Sequence, residues 1–131
     1  DYQTLVHRIE QVADQATSIA KHLIMIEGRQ KRIKESISEK MYSSGCDVLA
    51  SYDKAVDALL SNDTVKSGEI IENEAKIEKL DQEIATLAFL KEKSTEVICA
   101  CCSMRDSIRR MAEYTADIAE ITINRSYKPS F

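Results

Sequence analysis

Apolar residues recur along almost the whole chain with a helical period, and each stripe is long. A first helix is predicted over residues 4–27, where Ile9, Val12, Ala13, Ala16, Ile19, Ala20 and Leu23 share one stripe and Gly28 supplies the stop. A second is predicted over residues 30–60, with Ile33, Ile37, Met41, Val48, Tyr52, Val56 and Leu59 facing inward. Gly45 lies inside it, after Ser43 and Ser44, where it is expected to bend the helix or admit a close helix contact. Ser61-Asn62-Asp63 reads as a stop followed by an N-cap. A third helix is predicted over residues 64–90 through Ile70, Ile77, Leu80, Ile84 and Leu87, with residues 91–94 as the next connection. Ser94 or Thr95 then caps a fourth, which reaches residue 125 through Val97, Met104, Ile108, Met111, Thr115 and Ile118. Helices of this size are roughly 36–46 Å long, and short connections make them antiparallel neighbours. The fold class is all-α, an elongated antiparallel bundle of four long helices.

The pattern also repeats. Residues 9–20 return in register at residues 108–119: Ile9/Ile108, Ala13/Ala112, Ile19/Ile118 and Ala20/Ala119 are identical, and Asp14 recurs as Glu113. Each copy carries acids four residues apart, Glu10 and Asp14 in the first, Glu113 and Asp117 in the second. This spacing suggests an internal duplication.

Composition narrows the class. A chain of 131 residues with 44% hydrophobic and 31% charged residues is one ordinary globular domain. Three glycines and one proline leave almost no punctuation for strands and hairpins. The apolar runs, such as residues 84–90 broken by Thr86, fall far short of the ~20 residues a membrane span needs. No signal sequence is visible and residue 1 is Asp, which predicts a start inside a longer gene product. A net charge of −4 argues against direct nucleic-acid binding. The basic cluster Arg29, Lys31, Arg32 and Lys34 falls at a helix junction, where it is a solvated loop edge or else a contact for phosphate or acidic lipid.

Of the four cysteines, Cys99, Cys101 and Cys102 lie on one predicted helix, so with Cys46 they form no disulfide framework. Reduced, semi-buried core thiols in a cytosolic protein are the expectation. Cys99 and Cys102 share a face, but no second such pair and no nearby His completes a metal site. His7 and His22, both on the first helix, are expected to be exposed residues.

The acids carry the candidate chemistry. With the first apolar stripe centred near Ile9, Ala16 and Ala20, Glu10 lies about 110° and Asp14 about 150° round the helix, on the bundle's edge or outer face. Arg109, Glu113 and Asp117 hold the equivalent stripe of the fourth helix. One reading is a solvated face with pairs such as Arg109–Glu113. The other is a metal site, because acids one turn apart project together as a hard-cation or iron site requires. A second acid row, Glu74, Glu78 and Asp81, borders the seam of the third helix, with Lys76 and Lys79 close in sequence.

The segment Glu10-Gln-Val-Ala-Asp14-Gln-Ala-Thr-Ser18-Ile-Ala resembles the signature helix that closes each three-helix repeat in the PhoU family. Residues 108–120, with Glu113 and Asp117, resemble its second copy. Residues 70–80 resemble the family's middle helix, and residues 49–63 the end of its first helix. Gln15 stands where the family usually has His, Ser18 where it has Asn, and Arg109 where the second copy has its first acid. The resemblance implies that residues 1–28 are the third helix of a preceding repeat and residues 30–126 a complete repeat, together one domain over residues 1–131. It implies a cytoplasmic regulator of phosphate uptake and phosphate-responsive signalling that acts by protein contact. Its partners would be phosphate-transporter components or a signalling kinase, with a homodimer expected. It further implies iron or zinc at Glu10, Asp14, Glu113 and Asp117.

No nucleophile–base pair appears, and the chain is not expected to be an enzyme. A ferritin-like di-iron site needs Glu three residues before His. Thr4 and Ile19 occupy those positions before His7 and His22. The alternative is a structural dimerisation or sensor module of a larger fused transcription or ion-transport regulator.

Overall fold

A computed structural model describes residues 2–127; Asp1 and residues 128–131, the two ends of the expected domain, lie outside the description. Four helices follow one another: α1 (Tyr2–Gly28), α2 (Glu35–Ser61), α3 (Thr64–Lys91) and α4 (Thr95–Ser126). There is no strand among the described residues. The all-α expectation is met.

The connections follow local chemistry. At the α2–α3 hairpin Asn62 takes the left-handed conformation (φ 57°), and the Asp63 N–H reaches back to the Ala58 carbonyl at 2.9 Å. Asp63 then caps α3, its carboxylate accepting from the Lys66 N–H at 3.0 Å. Ser94 caps α4 in the same way, through the Val97 N–H. The first connection departs from expectation. Gly28 ends α1 as its last helical residue, but the left-handed position is Gln30 (φ 59°), and the Lys31 N–H closes on the Ile26 carbonyl. Residues 29–34 are therefore a loop, and α2 starts at Glu35 rather than at residue 30.

Helices α2, α3 and α4 pack against one another, whereas α1 packs on α4 alone. The main core joins Ile37, Met41, Ile84, Val97, Met104 and Ile108, with Ile26 closing it at the loop end. A smaller cluster of Ala55, Ile70, Ile118 and Ala119 fills the hairpin end. Beside the main core Asp81, almost fully buried, receives the Arg105 guanidinium at 2.6 Å. That pair offsets one charge of the α3 acid row, whose like charges at this spacing repel. The cation comes from α4, not from Lys76 or Lys79.

Because α1 and α2 both lean on α4 with their backbones held apart, an apolar groove of about 370 Å³ runs between them, lined by Ile19, Leu23, Met41, Leu49 and Met104. Gly45 also lines it, and a methyl group there would meet nothing within 4 Å. It therefore brings no helices close, and α2 runs through it as one uninterrupted helix.

The face of α1 differs most from expectation. Leu5, Arg8, Val12, Gln15, Ile19, His22 and Ile26 form the line shielded against α4. Ala13, Ala16, Ala20 and Leu23, taken from sequence as inward-facing, are exposed. The stripe is wider than one partner helix can cover, and α4 takes its edge. The observed contact line is turned about 90° from the expected centre.

Candidate functional site

The repeat places α1 and α4 in matching roles, but the structure treats their acids differently. The exposed carboxylates of Glu10 and Asp14 lie about 130–170° round α1 from its contact line with α4. They face solvent on a surface of their own.

Glu113 and Asp117 instead sit on the side of α4 that meets α3. Glu74 on α3 is drawn into the same group. Burial, and then the negative charges of Glu113, Asp117, Glu120 and Glu78, raise its carboxyl above the ordinary carboxylate value. Glu74 therefore marks the point where the two acid rows converge. It was visible in sequence as part of the α3 row, but its partner on α4 was not, because that depends on how the helices rotate.

Asp117 is already engaged. Its Oδ2 lies 2.9 Å from Arg8 Nε, and the same guanidinium sits 5.5 Å from the ring centre of Tyr114. Arg8 thus ties α1 to α4 through an ion pair and a cation–π contact, both partly exposed. No sequence signal singled it out. The expected Arg109–Glu113 pair is replaced: Arg109 and Arg110 both bind Asp106, at 2.6 and 3.0 Å, which leaves Glu113 open to solvent.

The structure therefore brings Glu113 and Asp117 together with Glu74, and keeps Glu10 and Asp14 apart from them. Among the described residues no group of three or more His, Cys, Asp or Glu is arranged to hold a metal ion. The residues make a diffuse acidic face with one carboxylate neutralised by Arg8, and they do not fit a closed metal site. The arrangement can attract cationic groups over a surface, which is chemistry for contact.

The cysteines divide as well. Cys101 is buried, and burial pushes its thiol up to about 11, so it stays protonated and unreactive at neutral pH. Cys46 and Cys99 are exposed, contrary to the core role expected of them. His7 is exposed as expected, while His22 is half-buried with Nδ1 2.8 Å from the Ser18 carbonyl.

A family model described as PhoU domain matches residues 45–122, which takes in most of α2, all of α3 and most of α4. No curated protein and no solved structure matches the chain.

Proposed function

The chain belongs to the PhoU domain family, and from that premise we propose that it regulates phosphate uptake and phosphate-responsive signalling by protein contact. The observation that carries this reading is the family match across α2, α3 and α4. The family is one of regulators, not of enzymes. No described helix is long and apolar enough to cross a membrane.

The finer parts of the reading draw support from the geometry. A regulator that works by contact needs an accessible face distinct from its core, and Glu74, Glu113 and Glu120 supply one beside the α3–α4 seam. Such a face suits basic cytoplasmic segments of phosphate-transporter components or of a signalling kinase, with association that weakens as salt rises. Its acidity gives no footing for direct nucleic-acid binding. In this reading the protein works in the cytoplasm. Helices α2–α4 make one repeat, and α1 is the third helix of another. The uncovered apolar face of α1 supports association into a homodimer.

Metal at the acids draws less support. Iron or zinc at Glu10, Asp14, Glu113 and Asp117 needs carboxylates from both repeats, and these lie on separate faces. Elemental analysis of the purified protein, with and without Asp14→Ala plus Asp117→Ala, decides it: stoichiometric metal lost in the variant would restore that reading.

Deletion of the gene is expected to deregulate phosphate uptake or phosphate-responsive expression. Glu113→Lys with Glu120→Lys should mimic the deletion. Both residues are exposed, and Asp117 with its Arg8 pair is spared, so circular dichroism should be unchanged. Normal phosphate uptake and expression in the deletion strain, at high and low phosphate alike, would overturn the regulator reading. The chain would then be read as a structural module of a larger regulator.

A further inference from the structure

The two ends of the bundle differ in charge. At one end three contacts lock the α1–α2 loop to the α3–α4 loop and the first turn of α4. Arg29 pairs with Glu96 at 3.0 Å, Lys31 Nζ donates to Ser94 Oγ at 3.1 Å, and the Lys34 N–H donates to Glu92 Oε1 at 2.7 Å. Residues 29–34 and 91–93 are thereby brought together; they hold six cations and one acid, and with the flanking Glu27, Glu35 and Glu96 counted the end is still net positive in a chain whose net charge is −4. Arg32, Lys34, Lys91 and Lys93 are exposed and form no ion pair among the described residues.

Apolar side chains stand beside these cations. Phe89 and Leu90, in the last turn of α3, are 67% and 77% exposed. The opposite end also shows exposed apolar residues, Leu60 and Val65, but its hairpin between them carries Asp63 and no cation. Among the described residues the cations nearest that hairpin are Lys66 and Arg125, and Arg125 is spent on the Leu59 carbonyl at 2.7 Å.

We propose that this basic, apolar-tipped end docks on an anionic lipid surface. A free phosphate has no use for an exposed Phe and Leu. The cations are spread over two loops and a helix end, and the open pocket that Lys31 and Arg32 line also holds the acidic Glu27, which disfavours a phosphate there. A lipid surface uses both features: headgroup charge attracts the lysines and arginines, and the interfacial region receives the two apolar side chains. The acidic α3–α4 face lies along the bundle and not at this end, so it stays open to a partner while the end is on the membrane. The inference goes beyond the regulatory reading and does not depend on it.

Vesicle sedimentation with the full chain tests it. Vesicles of phosphatidylcholine mixed with phosphatidylglycerol should bind the protein, pure phosphatidylcholine should not, and rising salt should weaken binding. Arg32→Ala plus Lys91→Ala should lower affinity by roughly fivefold per charge. Phe89→Ser plus Leu90→Ser should also weaken it, with the salt dependence kept. All four side chains are exposed, so circular dichroism should show each variant folded. The proposal is overturned by any of several results: equal binding to both vesicles, no binding to the anionic ones at low salt, or variants that bind like the parent. Displacement from vesicles by millimolar inorganic phosphate at constant ionic strength, or preference for a soluble acidic peptide, would likewise overturn it.

Discussion

Helices α1 and α4 carry the same twelve-residue pattern, yet they occupy opposite situations. Ile108 is 6% exposed, and its counterpart Ile9 is 38% exposed. Ala112 and Ala119 are buried, while Ala13 and Ala20 are exposed; Thr122 is fully buried, while Leu23 lies open. The difference is the number of neighbours: α4 is packed by three helices and α1 by one. The stripe that α4 buries against α2 and α3 is the stripe that α1 leaves in solvent. A repeated pattern therefore records what a helix is suited to bury, and the rest of the assembly decides whether it does.

The sharpest way to break this comparison is to truncate equivalent residues. Ile108→Ala should cost about 2–4 kcal/mol through lost burial and a cavity, whereas Ile9→Ala should cost less than about 1 kcal/mol. Urea unfolding of the two variants checks it, and equal losses would mean that α1 is buried as deeply as α4.

A smaller effect is expected at the most buried ion pair among the described residues. Arg105→Met leaves the Asp81 carboxylate buried beside α4 without its donor and should cost about 1–3 kcal/mol at neutral pH. Arg8→Met, at the more exposed α1–α4 pair, should cost less than about 1 kcal/mol by the same measurement.

The smallest effect has the opposite sign. Glu74 keeps its proton to higher pH in the folded protein than in the unfolded chain. Through the window between its ordinary and raised values the native state binds more protons, so stability falls as pH rises, and the full penalty is present above that window. Glu74→Gln should therefore stabilise the protein at pH 7 by about 0.2–0.5 kcal/mol after solvent screening. Thermal unfolding should show the gain fading as pH drops toward about 4.

The helices and their ends were largely legible in the sequence, because each is encoded within a few residues. Asp63 and Ser94 act as the caps their positions predicted, and the seams through Ile37, Val48, Ile77, Ile84 and Ile118 are buried as expected. The rotation of α1 was not legible. Its apolar face spans two possible contact lines, and only the position of α4 selects the one through Val12 and Ile19. For the same reason the acids could be sorted by helix but not across helices. Helical spacing put Glu113 and Asp117 on one face of α4. That Glu74 would join them, that Arg8 would claim Asp117, and that Arg105 would reach Asp81 are facts of packing between residues far apart in the chain.

The open face of α1 is the feature on which the account turns, and the state of association tests it most directly. Light scattering over a range of concentrations should show the parent chain passing from monomer to dimer. Ile9→Glu with Leu23→Glu should remain monomeric at every concentration, with circular dichroism unchanged because both side chains are exposed. A parent chain that stays monomeric at high concentration would contradict the reading of this face as an interface between copies. So would a doubly charged variant that dimerises as well as its parent.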